Sequence, residues 1–230
     1  MTSNTDIFKK NKSAIVLFLL DLPNHTISIR GTGFIIDDGG KVFTNAHVYN
    51  EISEADRQYL KTFVWEDDKN GIAEYKLHSV SLMKKNDEDD VALFQLGNSS
   101  DSKNTYCAIQ AIDSVDVSEG EELVFLGFPL ATELMAMGLG ITLTINKCVV
   151  ASVKRKAIDG SIHFYFVDTH INAGSSGSPI FSSQTGKVIG IVSGTINQTI
   201  VLPKEVSPNP IKIPANIGVC RPIKNALNLF

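Results

Sequence analysis

The stretch TISIRGTGFIIDDGGKVFTNAH, residues 26–47, contains two β-type segments on either side of a turn. Residues 26–36 begin with alternating polar and apolar side chains and are rich in Thr, Ile and Phe, as expected of a strand. The four residues DDGG that follow are typical of a tight turn. Residues 41–46 are again β-type and lead to His47. The stretch therefore predicts two strands of an antiparallel sheet.

Segments of the same kind recur along all 230 residues of the chain. Val, Ile, Phe and Thr dominate them, and short turns rich in Asp and Gly separate them. The further segments lie at residues 14–20, 61–65, 72–83, 91–96, 121–128, 141–153, 161–169, 187–194 and 217–222. The pattern predicts an antiparallel all-β fold with about six strands in each half. Helix is indicated at residues 53–61 and at 222–230, where a proline opens the segment as it often opens a helix.

The chain divides into two predicted units. At 25.0 kDa it has the size of one large domain or of two small barrels that share an interface. A polar stretch of low hydrophobicity separates the two series of β-type segments. We therefore predict a first unit over residues 10–105, a linker over residues 106–117 and a second unit over residues 118–230 that ends in a short helix.

The composition argues against several classes of protein. With 43% hydrophobic and 20% charged residues, the chain can bury a core and is not intrinsically disordered. No apolar run reaches the roughly 18 residues that span a bilayer, so no membrane span is predicted. A formal charge of −4 provides no electrostatic attraction for a polyanion, and nucleic acid is not an expected partner.

Two features bear on the cellular compartment. The cysteines Cys107, Cys148 and Cys220 are an odd number without CxxC spacing, which favours free thiols in a reducing compartment. The apolar run at residues 14–20 follows several lysines, as in a signal peptide, but Asp21 ends it and no small-residue cleavage site follows. We interpret the run as a strand and predict a cytoplasmic location, with export by another route left open.

The segment NAGSSGSPIF, residues 172–181, places glycines and serines between two apolar strands. An ordinary tight turn is one interpretation, because Gly and Ser are common turn formers. The other is a nucleophile at Ser176. Its hydroxyl would lie exposed on a sharp bend, where backbone N–H groups can face a developing oxyanion without obstruction by Cβ atoms. From this segment alone the two interpretations stand about equal.

A histidine and a carboxylate each adjoin an apolar strand. His47 follows the segment FTNA on a rigid element, where its near-neutral pKa suits a general base, although a lone histidine is more often structural. Asp90 ends the acidic run 87–90, most of which we expect to be solvated, and adjoins the strand at 91–96. A carboxylate held there could accept a histidine N–H and fix its tautomer.

The three candidates occur in the order His, Asp, Ser, with Asp90 lying 43 residues after His47 and 86 before Ser176. With the motifs TNAHV, DVALF and GSSGSP in this order, the chain resembles the chymotrypsin-fold serine proteases. The segments GTGFII, GEELVFLGFP, VDTHINAGSSGS, GKVIGI and IGVCRP are similar to the bacterial Deg/Htr-type protease domain. We expect either a stand-alone protease domain without a PDZ domain or a fragment of something longer. The resemblance implies two six-stranded antiparallel β-barrels with the active site in the cleft between them.

The resemblance also implies a role for each candidate. His47 would be the general base, Asp90 would orient it, and Ser176 would be the nucleophile. The backbone N–H groups of Gly174 and Ser176 would form the oxyanion hole. The reaction needs neither a metal nor a cofactor, and its substrate would be a protein or peptide.

The same resemblance places the primary specificity pocket at His170, with a wall of Ser193, Gly194 and Thr195 and with Gly218 opposite. Trypsin has an aspartate where this chain has His170, so a preference for Arg or Lys loses its counter-charge. Protonated His170 could instead favour an acidic or polar substrate side chain. The alternative, which we favour, is that this ring only fills space or points away.

Two other functions stay open beside the predicted serine endopeptidase. A pseudoprotease would keep the fold and bind peptides without cutting them, although such a module has no chemical need for His47, Asp90 and Ser176 together. An oligomeric sensor would cut only when a partner is bound, and its activity would depend on concentration. The sequence leaves the natural substrate and the oligomeric state undetermined.

Overall fold

The computed structural model describes residues 2–23, 26–69, 72–97, 105–201 and 209–230. Twelve strands lie within these ranges: β1 (Ile15–Asp21), β2 (Ile27–Ile35), β3 (Lys41–Thr44), β4 (Leu60–Lys69), β5 (Ile72–Asn86), β6 (Val91–Leu96), β7 (Glu122–Gly127), β8 (Thr144–Arg155), β9 (Ile162–Val167), β10 (Pro179–Ser182), β11 (Val188–Ile200) and β12 (Ile211–Pro222). The same ranges contain four short α-helices: α1 (Asn4–Asn11), α2 (His47–Asn50), α3 (Ala131–Ala136) and α4 (Ile223–Leu227).

The strands form two closed antiparallel barrels. In the first barrel the neighbours follow the order β1-β2-β3-β6-β5-β4, and β4 pairs with β1 to close it. In the second barrel the order is β10-β11-β12-β9-β8-β7, and β7 pairs with β10. The predicted all-β fold of two six-stranded antiparallel barrels with a short C-terminal helix is therefore confirmed.

The apolar run at residues 14–20 is a strand with both faces buried. In β1, Ile15 and Leu17 belong to the hydrophobic cluster that joins the two barrels, together with Val124 of the second barrel. The alternate residues Val16 and Phe18 pack inside the first barrel. Because both faces are buried, the run is continuously apolar and does not alternate.

Strand β10 was not predicted. Its four residues follow the glycine-serine segment directly, and Ile180 pairs with Phe125 on one side and with Gly190 on the other. A strand of this length shows too few residues for a period of two to be recognised. Its pairing fixes one end of the segment 172–178 to the second barrel.

The prediction of helix is correct at the C-terminus and wrong at residues 53–61. There the structure has a 3-10 turn, Arg57–Tyr59, and β4 begins at Leu60. The hydroxyl of Ser53 accepts the N–H of Asp56 at 3.2 Å, as at a helix N-cap, but the chain leaves the helical turn where Leu60 pairs with Leu20 of β1. The helix α4 is present as expected. No helix in the described part of the chain combines the length and the apolar character needed to cross a bilayer.

The segment predicted as a linker, residues 106–117, contacts both barrels. The N–H of Ile109 donates to the carbonyl of Ile35 in the first barrel at 2.8 Å, and Ile112 forms an isolated β-bridge with Val188 in the second. Residues 98–104, which precede it, lie outside the described residues. The segment therefore crosses from one barrel to the other with Ile109 buried in the hydrophobic cluster that joins them.

Candidate active site

His47 lies at the first position of α2, just after β3, and its ring contacts Asp90. The ring Nδ1 is 3.0 Å from both carboxylate oxygens of Asp90, and the backbone N–H of His47 donates to Asp90 Oδ1 at 3.0 Å. Because an ionised carboxylate can only accept hydrogen bonds, Nδ1 carries the proton. The other ring nitrogen, Nε2, then has a free lone pair and can act as a base.

The surroundings of His47 shift its pKa in opposite directions. Burial of the ring acts to lower the pKa. The hydrogen bond to Asp90, the negative charge of Asp90 and the charge of Glu51 act to raise it, and together they outweigh burial. The pKa of His47 therefore lies above its ordinary value of 6.5.

Asp90 has an uncommon backbone conformation. Its φ is 53°, in the left-handed region. A non-glycine residue held there costs on the order of 1–3 kcal/mol, although aspartate tolerates the region better than most. The carbonyl of Asp90 accepts the Nδ2–H of Asn45 at 2.9 Å, and its carboxylate accepts the N–H of His47. These contacts hold the strained residue with its carboxylate against the His47 ring.

Asn45 is a member of this site that the sequence analysis missed. Its side chain is buried, and Nδ2 donates to Ser193 Oγ at 3.2 Å as well as to Asp90. One amide therefore connects Asp90 in the first barrel with Ser193 on β11 in the second. The sequence alone gives no signal for this role, because the burial of Asn45 and its contact with Ser193, 148 positions away, become visible only in the folded chain.

The segment 172–178 is a tight turn that only glycine permits at two positions. Gly174 has a φ of 91° and Gly177 a φ of 87°. A Cβ added to Gly174 would lie 2.3 Å from the carbonyl oxygen of Phe128, and one added to Gly177 would lie 1.9 Å from the carbonyl oxygen of Thr32. Both positive φ values and the close approach of neighbouring backbone explain the glycines.

The turn is held against the first barrel by Thr32 of β2. The N–H of Thr32 donates to the carbonyl of Ser176 at 2.7 Å, and its hydroxyl donates to the carbonyl of Gly174 at 2.7 Å. A Cβ added to the preceding Gly31 would lie 2.8 Å from the Ser176 carbonyl oxygen and 2.9 Å from a methyl group of Val48. Ser176 is therefore next to the first turn of α2, the helix that begins with His47.

The Ser176 hydroxyl donates to the carbonyl of Ser193 at 2.9 Å. Among the hydrogen bonds of the described residues, none joins Ser176 to His47. The backbone N–H groups of Gly174 and Ser176 also donate to no other protein atom in this part of the chain, whereas Ser175 N–H donates to the Asn172 carbonyl at 3.1 Å. The N–H groups on either side of Ser175 are thus available to an anion within the described part of the chain.

The residues of the candidate pocket lie on β11 and β12, except His170, which lies between β9 and β10. His170 Nδ1 is 3.3 Å from Thr195 Oγ1, and the Thr195 hydroxyl lies 3.0 Å from the Ile217 carbonyl, to which it donates. Thr195 pairs with Gly218 across the two strands. The half-buried His170 ring is thus fixed through Nδ1, and within the described residues Nε2 has no protein partner.

Other parts of the pocket differ in how much space they leave. A Cβ added to Gly218 would lie 2.7 Å from both Ile171 and Val167, whereas one added to Gly194 would meet no atom within 4 Å. Asn216, which the sequence analysis did not single out, accepts the backbone N–H of His170 at 2.9 Å and donates to the Asp168 carbonyl. Across the described ranges, no three His, Cys, Asp or Glu side chains are grouped to hold a metal ion.

Residues 31–191 match the family described as "Trypsin-like peptidase domain". The chain is 30% identical over 169 residues to the "Probable periplasmic serine endoprotease DegP-like" of Halomonas elongata and 28% identical over 167 residues to "Serine protease HTRA3" of Homo sapiens. These matches cover 71% and 70% of this chain but 29% and 32% of the relatives. The chain therefore spans about three tenths of the length of the curated relatives it matches.

A solved structure described as "Crystal structure of Deg5" has the same fold. It superposes with a TM-score of 0.66 at 20% sequence identity and covers 98% of this chain and 90% of that chain. At 20% identity this similarity is evidence for the fold alone. It agrees with the double barrel found here.

The predicted cytoplasmic location is wrong. Relatives from Halomonas elongata, Pseudomonas fluorescens and Hahella chejuensis are all named periplasmic. The prediction rested on the lack of a recognisable export signal and on unpaired cysteines. Unpaired thiols do not determine the compartment when they are buried, and Cys148 and Cys220 are both free and buried.

Proposed function

This chain belongs to the trypsin-like peptidase domain family, in its Deg/Htr branch, and on that basis we propose that it is a serine endopeptidase acting through His47, Asp90 and Ser176. One observation carries the proposal most directly. The Nδ1 atom of His47 lies within 3.0 Å of the Asp90 carboxylate, so Nε2 is the ring nitrogen left to act as a base. The helix that begins with His47 lies next to the Ser176 turn. This is the geometry that the proposed general base requires.

The proposed mechanism is acyl transfer. His47 Nε2 takes the proton of Ser176 Oγ while that oxygen attacks the peptide carbonyl, and Asp90 stabilises the imidazolium that forms. The imidazolium then returns the proton to the leaving amine, and an acyl-enzyme remains. Water repeats the sequence and releases the acid. For the first step the Ser176 hydroxyl must rotate from the Ser193 carbonyl towards His47.

The oxyanion of each tetrahedral intermediate would be stabilised by the N–H groups of Gly174 and Ser176. Their lack of protein partners within the described residues supports this role. Removing one such donor costs serine proteases about 10²–10³ in kcat. Loss of either proposed donor should therefore reduce kcat by a comparable factor.

We place the primary specificity pocket at His170, Ser193, Gly194, Thr195 and Gly218. Because the Thr195 hydroxyl donates to the Ile217 carbonyl, His170 Nδ1 donates to Thr195. The free Nε2 could then accept from a polar substrate side chain when the ring is neutral and donate to one only when it is protonated. His170 provides no negative charge for a basic side chain. The pocket that we propose therefore does not select for Arg or Lys.

The wider assignments follow from the same family membership. We propose a first barrel unit over residues 10–105, a linker over residues 106–117 and a second barrel unit over residues 118–230. The substrate would be a protein or peptide. The relatives named periplasmic support a location outside the cytoplasm.

The proposal is tested by digestion of an unfolded protein substrate at neutral pH. The wild type should cut it, and Ser176→Ala should not. Ser175→Ala alters the neighbouring serine of the same turn and should retain cleavage. If the wild type instead binds peptides without cutting them and Ser176→Ala binds equally well, the protein is a peptide-binding pseudoprotease and not an endopeptidase.

A further inference from the structure

We infer that Asp89, Lys156 and Asn225 form an inter-barrel anchor that holds Asp90 in its catalytic conformation, so that Asp89 and Asn225 are positioning residues. The inference rests on the proposed function, because it concerns the carboxylate that orients His47. The inference goes beyond that function because it assigns an effect on activity to residues of α4 and of the turn between β8 and β9. Neither element belongs to the pocket or to the Ser176 turn.

Asp89 is buried, although it belongs to an acidic run. Its neighbours Asp87 and Glu88 are exposed, whereas Asp89 is 8% exposed. Burial of a carboxylate is costly unless it is paired and hydrogen-bonded. Asp89 Oδ1 accepts from Asn225 Nδ2 at 3.1 Å and from Lys156 Nζ at 3.4 Å, and Oδ2 accepts from Asn86 Nδ2 at 3.1 Å. Both carboxylate oxygens are therefore satisfied.

Two of the three partners of Asp89 lie on the other half of the molecule. Lys156 follows β8 of the second barrel, and Asn225 lies in α4 after β12, with its side chain also buried. Asn225 is 136 residues away from Asp89 in the sequence. The three residues line one cleft of about 160 Å³. The turn that carries Asp90 is thus attached to the second barrel and not only to its own.

The anchor acts on Asp90 through the backbone. Asp89 and Asp90 share a peptide bond, and Asp90 has the strained φ of 53°. Strained conformations persist only where the surroundings determine them on every side. Asn45 and His47 hold Asp90 from one side, and the anchored Asp89 fixes the residue before it. Without the anchor, Asp90 can relax towards negative φ, and its carboxylate then turns away from His47.

The test compares kcat and KM of the intact chain for Asn225→Ala, Asp89→Asn and the control Asp87→Asn. The first two should lose on the order of 10-fold to 100-fold in kcat with KM unchanged, as expected of misplacement rather than of lost binding. Asp87 is exposed and contacts Lys85 and Asn50, so Asp87→Asn should retain wild-type kcat.

A pH profile separates positioning from simple loss of stability. The charged groups that act on the His47 ring are Asp90 and Glu51, which both raise its pKa. If Asp90 turns away, the acidic limb of kcat/KM moves to lower pH. Asn225→Ala changes no charge, so a shift in that variant reports the geometry of Asp90. Wild-type kcat and an unchanged limb in folded Asn225→Ala would overturn the anchor.

A double variant tests the contact itself. Asn225→Asp places two carboxylates together, and Asp89→Asn with Asn225→Asp exchanges donor and acceptor within the cleft that Lys156 also lines. The double variant should recover most of the kcat that either single variant loses. No recovery would contradict the anchor.

An inactive wild type would overturn the proposed function and the anchor with it, whereas an active wild type with unaffected variants overturns the anchor alone. If Asp89→Asn does not fold, Asn225→Ala and Lys156→Gln decide the question.

Discussion

At the scale of single residues, the pair of His47 and Asp90 determines how the site handles a proton. The base works only when Nε2 is unprotonated. Because Asp90 accepts the Nδ1–H, it fixes the tautomer in which Nε2 is free to act as the proposed base. In the proposed mechanism it would also stabilise the charged ring after the proton has moved. Both contributions depend on a carboxylate, and not merely on a hydrogen-bonding group of the same shape.

The change Asp90→Asn should therefore reduce kcat by about 10⁴, because an amide can donate to Nδ1 and stabilise the wrong tautomer. Fold and substrate binding should be retained. The measurement is kcat on a peptide substrate, with Asp87→Asn as a control of equal charge. Comparable loss in Asp87→Asn, or none in Asp90→Asn, would refute the assignment.

The pH profile gives a second prediction at this scale. The pKa of His47 is raised, so its ring remains protonated and inactive to a higher pH than a free histidine would, and the acidic limb of kcat/KM should have its midpoint above 6.5. Glu51→Gln removes a charge that raises this pKa and should move the midpoint down. The shift should shrink with added salt, because Glu51 is exposed. A midpoint below 6.5 in the wild type contradicts the prediction.

Sequence reasoning identified the residues with recognisable chemistry and missed those that hold them. His47 and Asp90 were predicted as a pair, and the structure brings them together. Asn45 and Asn225 were not predicted. Their contacts join residues 148 and 136 positions apart, and such contacts leave no local pattern.

At the scale of elements, the turn 172–178 is formed by contacts that leave no space for side chains. The prediction here is that Gly174→Ala reduces kcat by about 10²–10³, because the new Cβ would meet the Phe128 carbonyl and move the N–H of residue 174. The control is Gly120→Ala, which has a similar φ of 87° and no atom within 4 Å. It should lower stability by about 1 kcal/mol and leave kcat unchanged. Equal kcat values for the two variants would count against the oxyanion role.

The errors at this scale have physical causes. Residues 53–61 have the composition of a helix, but the edge of β1 is available to β4, and pairing of Leu20 with Leu60 prevails over local preference. Strand β10 was hidden because its four residues adjoin a glycine-rich turn. In both cases, pairing with a strand distant in the sequence determined the structure. Such pairing cannot be recognised in a single sequence.

At the scale of the whole molecule, the buried apolar residues form three clusters, one inside each barrel and one between the barrels. Strand β1 contributes to two of these clusters and is therefore continuously apolar, which a search for alternation does not recognise as a strand. The same packing encloses two of the three cysteines: Cys148 and Cys220 lie inside the second barrel, whereas Cys107 is exposed. Burial of these thiols does not indicate the cellular compartment, and the cytoplasmic location predicted from the unpaired cysteines was wrong.

Thiol chemistry tests the described packing of the second barrel. Burial, with the charge of Asp168 nearby, raises the pKa of Cys148 to about 12, and burial also raises the pKa of Cys220. Both thiols should therefore resist alkylation at neutral pH. Intact mass should show one adduct on the native protein and three on the denatured protein, and Cys107→Ser should remove the native adduct. Two or three adducts on the native protein would contradict the buried placement.

The central claim is that Ser176 is an activated nucleophile, and labelling with a fluorophosphonate probe tests it most directly. We predict one covalent adduct on the folded wild type at neutral pH, located at Ser176 by peptide mass, and none on Ser176→Ala. The reaction needs both the base and the oxyanion donors but no knowledge of the natural substrate. Absence of an adduct on the folded wild type, or equal labelling of Ser176→Ala, would contradict the claim.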